Sequence, residues 1–274
     1  MRYFAILAAL WAAFWTLPAA ALPMADEVLA QMREADVVIL GEVHDNPEHH
    51  MRQAELIEML DPAAVVWEML DEETAARINA GALDTPGNLD TVLEWGRAAW
   101  SNFDLYTPVL LAAQDRQQYG GLVPRAATRK AMETGIGAAF GVGAAEYGLM
   151  VPLAPDQQAQ REAQQQEAHC NAMPPEILPK LVSIQRLRDA VLARAVVQAR
   201  ADTGGQVVVV TGNGHARADW GMPVYLKRVS PGLRVFTLGQ SEDGAITGTF
   251  DALADSPAVD RPDPCEAFRK DTGE

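Results

Sequence analysis

The sequence predicts an α/β fold: a mostly parallel β-sheet flanked by helices. Three observations predict it. The runs Val37-Val38-Ile39, Val65-Val66 and Val207 to Val210 are apolar throughout, as strands covered on both faces must be. Segments of helical periodicity stand between them. Two of the runs end in glycine and then release polar side chains, Glu42 and His44 after Gly41, and His215 after Gly212-Asn213-Gly214. Open parallel sheets deliver reactive groups to a crevice at their carboxyl ends in this way.

Each element follows in turn. Met24 to Arg33 reads as a short helix leading into a first strand over Asp36 to Leu40. Asn46 can cap the next helix, with Pro47 at its first position, where a missing N–H costs nothing. That helix is expected to reach Leu60 and to stop at Asp61-Pro62. Ala64 to Met69 is a second buried strand, followed by a carboxylate-rich helical stretch from Asp71 to Ala80. Thr85-Pro86-Gly87-Asn88 reads as a turn. The aromatics Trp95, Trp100, Phe103 and Tyr106 are expected in the core or in a pocket wall. A helix is expected from Leu105 to Gln118, and a third strand over Gly120 to Pro124 with Arg125 at its end.

The middle of the chain changes character. Residues 134–200 run from a glycine- and alanine-rich stretch through a glutamine-rich one into a long helix whose apolar positions Ile177, Leu181, Ile184, Val191 and Ala195 recur at helical spacing. The expectation is a helical insertion, or lid, between the third and fourth strands. Val207 to Val210 supplies the fourth strand and Leu233 to Leu238 a fifth. The aspartate- and proline-rich tail from Asp251 reads as irregular.

Arg2, an apolar stretch from Tyr3 to Leu17 and the small-residue run Pro18-Ala19-Ala20-Ala21 have the layout of a secretory signal peptide. Residues 1–21 are assigned to it and 22–274 to a single domain. The apolar run is shorter than the roughly 20 residues a membrane span needs. No cysteine stands near the cleavage point to carry a lipid. The expected location is therefore periplasmic or otherwise exported. In that setting the two cysteines, Cys170 and Cys265, are expected to form one disulfide, the alternatives being two free buried thiols or Cys170 acting with His169 at a metal. The net charge of −15 argues against nucleic acid as a partner, because phosphates would be repelled.

If the strands are parallel, Glu42, His44, Glu68, Arg125 and His215 gather at one edge. Glu42, His44 and His215 are the kind of donor set a divalent metal such as zinc or manganese takes. With Glu68 as a general base, a hydrolase could be built there. The bland alternative is that Glu42 and His44 bond each other and cap the following helix. His50 shares a helix face with Ala54 and Ile57, which predicts packing or a hydrogen bond.

The stretches LGEVHDNPEHHMRQ (Leu40 to Gln53), VVWEM (Val65 to Met69), FDLYTPVL (Phe103 to Leu110), AHC (Ala168 to Cys170) and GNGHARADWGMPVYL (Gly212 to Leu226) resemble the ChaN-type haem-binding proteins of the Tiki and erythromycin-esterase superfamily. The resemblance implies an exported protein of bacterial iron and haem uptake that binds haem in a cleft. It leaves room for a homodimer and for a role as a haem-transport component. It also implies that Glu42, His44, Glu68 and His215 are a shared polar set, hydrolytic in some branches. The haem ligand does not carry over by motif. From chemistry alone the candidates are His49, His50, Tyr106 and Tyr147, with Arg125 or Arg129 for a propionate. The sequence holds no Cys-x-x-Cys-His, so haem would be held non-covalently. The competing expectation is the metal-dependent hydrolase at Glu42, His44, Glu68 and His215.

Overall fold

Three runs of four apolar residues build the centre of the sheet: β1 (Val37–Leu40), β2 (Ala64–Trp67) and β4 (Val207–Val210), every residue of them buried. The computed structural model describes residues 24–84, 91, 93, 95, 103–263 and 265–266. The expected signal peptide, the turn at Thr85 to Asn88 and Trp100 lie outside the described residues. With β3 (Gln117–Gly120), β5 (Val235–Glu242) and β6 (Ala252–Ser256) these strands form one six-stranded sheet in the order β3-β2-β4-β1-β5-β6. Every pairing is parallel.

Strand alternation divides the core in two. Val37, Ile39, Val66 and Val209 point to one face and pack beneath the 26-residue helix Leu178–Thr203 and the helix Met222–Val229. Val38, Leu40, Val65, Val208 and Val210 point to the other, under helices Asp26–Glu34, Pro47–Leu60 and Phe103–Ala112. Each fully buried valine adds roughly 1.5–3 kcal/mol.

The helix after β1 has the expected bounds, Pro47–Leu60, and Asn46 Oδ1 accepts the Glu48 N–H at 3.0 Å as its N-cap. The two edge strands differ from expectation. The third strand is Gln117–Gly120, not Gly120 to Pro124, and the helix before it ends at Ala112. An edge strand need not be apolar. Gln118 is buried there because its side chain accepts the Trp67 indole N–H at 2.6 Å and donates to two carbonyls. The tail is irregular only beyond Ser256. Asp251 accepts the Thr237 N–H at 2.7 Å, and this bond starts β6 alongside β5.

Between β3 and β4 the chain is helical, but the elements divide the work. The long helix Leu178–Thr203 is a structural cover of the sheet. Helix Pro155–Ala168 packs on that cover and borders the crevice described below. Cys170, just beyond it, is disulfide-bonded to Cys265 with Cα atoms 5.4 Å apart. Among the described residues no helix is long and apolar enough to cross a membrane.

Candidate functional site

The three central strands β2, β4 and β1 are neighbours, so the residues following them share one rim. Close backbone approach is built in. A Cβ on Gly41 would lie 2.4 Å from Asn213 Oδ1, and one on Gly212 would lie 2.9 Å from His44 Nε2. Glu42, His44, Glu68 and His215 all border one cavity of about 480 Å³.

Two histidine–carboxylate pairs face each other across it. In the first, the His44 Nδ1–H donates to Glu42 Oε1 at 2.6 Å. The Tyr106 hydroxyl donates to the same oxygen at 2.5 Å, and Gln53 Nε2 donates to Oε2 at 2.7 Å. The Glu42 side chain is completely buried, whereas that of His44 is 40% exposed. Burial alone would raise the Glu42 pKa, but the His44 bond, the His50 and His44 charges and the Tyr106 bond hold it low. Burial likewise opposes charge on His44. The Glu42 hydrogen bond and the Glu68 and Glu42 charges outweigh that, pushing His44 up to about 9.

In the second pair, His215 sits in the one-turn helix Asn213–Ala216 and its Nδ1–H donates to Asp189 Oδ1 at 2.6 Å. Its Nε2 lies 3.5 Å from Glu68 Oε1. Glu68 Oε2 accepts the Thr211 hydroxyl at 2.7 Å and the Gly212 N–H at 2.8 Å. Burial opposes ionisation of Glu68, but the two histidine charges and these donors bring its pKa down to about 2. Burial disfavours charge on His215 as well, and the flanking Glu68 and Asp189 raise it. Asn213 fixes the turn by exchanging hydrogen bonds with the Gln240 backbone.

Part of the cavity wall is cationic and aromatic. Arg161, Arg188 and Arg217 border the cavity with Trp220. The Trp220 ring lies 5.1 Å from the Arg161 guanidinium and 4.0 Å from that of Arg217. Both contacts are within cation–π range.

The other sequence candidates are placed differently. His49 and His50 are buried in the helix rather than at the cavity. His49 Nδ1 accepts the Val43 N–H at 2.9 Å, and its Nε2 lies 2.9 Å from Ser256 Oγ. His50 Nε2–H donates to the His44 carbonyl at 3.0 Å. Tyr106 has no exposed surface and is bound to Glu42. Tyr147 packs on Phe140 at a ring separation of 4.9 Å within the core between the sheet and the long helix. Arg125 begins the helix Arg125–Thr134 and is exposed, bordering a side cavity of about 320 Å³ that shares Glu68 and Arg188 with the crevice. Arg129 is exposed on that helix and borders neither cavity.

The expected metal trio Glu42, His44 and His215 does not assemble. Among the described residues no group of three or more His, Cys, Asp or Glu side chains is arranged to hold a metal ion. The reason is local: both Glu42 oxygens are turned inward to Tyr106, Gln53 and His44, and Glu68 stands beside His215. Sequence reasoning missed Asp189, Arg161, Arg188 and Trp220 as crevice residues. Asp189 carried one signal, since it lies on the same helical stripe as Val182, Leu192, Ala193 and Val196, where an unpaired carboxylate has no place.

Residues 28–226 match a family described as haem-binding uptake, Tiki superfamily, ChaN. The chain belongs to the ChaN family. Among solved structures, ChaN of Campylobacter jejuni, described as binding haem cofacially, is similar with a TM-score of 0.63 at 19% identity, covering 81% of this chain and 87% of that one. At that identity the likeness speaks for the fold. An erythromycin esterase in its open conformation is similar with a TM-score of 0.48 at 14% identity, covering 79% of this chain and 72% of that one. No curated protein matches the ChaN-family chain in sequence.

Proposed function

We propose that this chain is an exported haem-binding protein of bacterial iron and haem uptake, holding haem non-covalently at the carboxyl edge of β1, β4 and β2. Membership of the ChaN haem-binding uptake family over residues 28–226 carries the proposal. The crevice fits the group. Its volume of about 480 Å³ lies within the range of small-molecule sites, about 300–1,000 Å³. Trp220 and the guanidinium groups of Arg161 and Arg217 against its ring border the same space. His44 is the side chain best placed to meet iron. Histidines that bind metals donate their second ring N–H to a carboxylate, as His44 does to Glu42. Bound haem would supply an iron centre able to take a side-chain ligand. The chain's part is to fix the imidazole, through Glu42, and to release the His44 proton, since only neutral imidazole binds metal.

Export by the signal peptide 1–21 belongs to this proposal. The Cys170–Cys265 bond supports it, because disulfides persist in oxidising compartments. A homodimer and delivery of haem to a transport partner complete the picture. Titration of the purified protein, residues 22–274, with hemin should give a Soret band that saturates at a fixed stoichiometry. Absence of any saturable band would end the haem assignment.

One observation favours a second function in the same crevice. His215 held by Asp189 beside Glu68 is an oriented imidazole of the sort general acid–base hydrolysis uses, with no metal needed. Haem-free protein that hydrolyses a panel of ester substrates, and loses this on His215→Asn, would support it. Turnover indistinguishable from the variant's would dismiss it.

A further inference from the structure

The geometry points to a carboxylate-recognition site on the wall of the crevice: Arg161 and Arg188 receive a propionate of the bound tetrapyrrole. This rests on the haem assignment above and deepens it by naming the ligand's second point of attachment.

Arg161 is the first observation. It reaches the crevice from helix Pro155–Ala168 and is only 7% exposed. A guanidinium has five N–H donors in a planar fork. In Arg161 the Nε is buried with no hydrogen-bond partner, and the one polar contact of its Nη2 is a long bond to the Trp220 carbonyl at 3.4 Å. Burying such a cation with its donors unmet is costly unless a partner arrives to satisfy them. The partner is not supplied from within. Asp189 lies close enough to act on Arg161 electrostatically, but its Oδ1 is taken by His215.

Arg188 is the second. It projects from the long helix one residue before Asp189 and borders both the crevice and the side cavity that Arg125 closes. No hydrogen bond or ion pair ties it to another described residue. The third arginine of this wall behaves differently. Arg217 is held bidentately by Asp219 at 2.8 and 2.6 Å, and so is already neutralised. In a chain of net charge −15, two guanidinium groups bordering one cavity with no carboxylate hydrogen-bonded to either are a local reversal of sign. The carboxylates nearby, Glu42, Glu68 and Asp189, are engaged by histidine, tyrosine, glutamine, threonine and backbone donors. Planar carboxylates are the anions that arginine forks match best. The site differs from the exposed pair Arg125 and Arg129, which the sequence alone had favoured for this role.

The test compares three probes by Soret absorbance and tryptophan quenching: hemin, hemin dimethyl ester, in which both propionates are capped, and iron-free protoporphyrin IX. Wild-type protein is expected to bind the ester at least about 10-fold more weakly than hemin, the value of a charge-assisted hydrogen bond. Arg161→Gln and Arg188→Gln should each weaken hemin and protoporphyrin IX by about 10-fold and leave the ester within about 2-fold. Arg161→Lys, which keeps charge without the fork, should recover part of the loss. Equal affinity of wild type for hemin and its ester overturns the propionate site while leaving the haem assignment standing. No saturable binding of any of the three removes both. Should Arg161→Gln fail to fold, the ester comparison in wild type and the half-buried Arg188→Gln still decide.

Discussion

Four of the protein's five histidines surround one loop, yet they fall into two kinds. His44 and His215 each donate Nδ1–H to a buried carboxylate and turn the rest of the ring to the crevice. His49 and His50 are adjacent on a helix and both buried: His49 bonds the Val43 N–H and Ser256, while His50 bonds the His44 carbonyl and leaves Nδ1 without a hydrogen bond, 3.6 Å from Glu42 Oε2. The difference is visible in their charge. Burial, with the Arg52 charge, drives His49 down to about 4, whereas the Glu42 hydrogen bond and neighbouring carboxylates overcome burial and lift His44 to about 9. A histidine's role here is set by what its second nitrogen meets. Density of histidines along the chain says little about it.

The comparison breaks most sharply at His44. Replacing it by alanine is expected to weaken hemin by more than about 100-fold, since loss even of a carboxylate behind a metal-bound imidazole costs 10- to 100-fold. It also takes the imidazole partner from the buried Glu42, so a stability loss of about 1–3 kcal/mol is expected and affinity is read on the folded fraction. Unchanged hemin affinity, read from the Soret titration, would remove His44 as the ligand. His49→Ala should do the reverse. It strands the Val43 N–H, empties the buried space of the ring and removes one of the bonds of the Ser256 hydroxyl, so a loss of about 2–4 kcal/mol in urea unfolding is expected. Hemin affinity of the folded fraction should stay within about 3-fold. A large affinity loss there would merge the two kinds.

Acid gives the next effect. His49 has a depressed pKa in the fold, so the unfolded chain takes up its proton first. The stability that His49 contributes is complete above the ordinary value of 6.5 and is lost as pH falls toward about 4. His44 has the opposite sign: its contribution is complete below 6.5 and fades as pH rises through about 9. Stability measured from pH 7 to 4 should therefore fall less steeply in His49→Gln than in wild type. Parallel curves would mean that His49 is not held neutral.

What could be read from the sequence follows from where each residue lies in the sheet. The doubly covered strands announce themselves because both of their faces must be apolar, and Asn46-Pro47 marks a helix start that the fold keeps. Glu42, His44, Glu68 and His215 meet at one rim because they follow three neighbouring parallel strands, a placement that strand-ending glycines make visible for all but Glu68. Strands β3 and β6 were hidden because edge positions tolerate glutamine and aspartate. Arg161 and Arg188 were hidden for another reason: on a helix, a charged residue ordinarily faces water, and only tertiary packing turns these two to a cavity. Asp189 is the intermediate case, a charge on an apolar stripe that asks for a partner without naming it.

The smallest expected effect lies at Asn46, between the two kinds of histidine. Its Oδ1 caps the helix carrying His49 and His50. Its Nδ2 donates to Glu242 Oε1 at 2.8 Å and to the Pro257 carbonyl at 3.1 Å. Asn46→Ala removes both functions and should cost about 1–2 kcal/mol. Asn46→Asp keeps the cap but loses the donor and sets a second negative charge against Glu242, whose own pKa is already down at about 2 through Arg261. If capping dominates, the aspartate variant should retain most of the stability at pH 7. If the link to Glu242 dominates, it should fall at least as far as alanine and recover as the pH is lowered toward the carboxylate range. In either case hemin affinity should hold within about 2-fold, because the cap orients the buried histidines while the Glu42 bond orients His44. A loss of affinity rivalling that of His44→Ala would show that the crevice imidazole depends on the helix start as well as on its carboxylate.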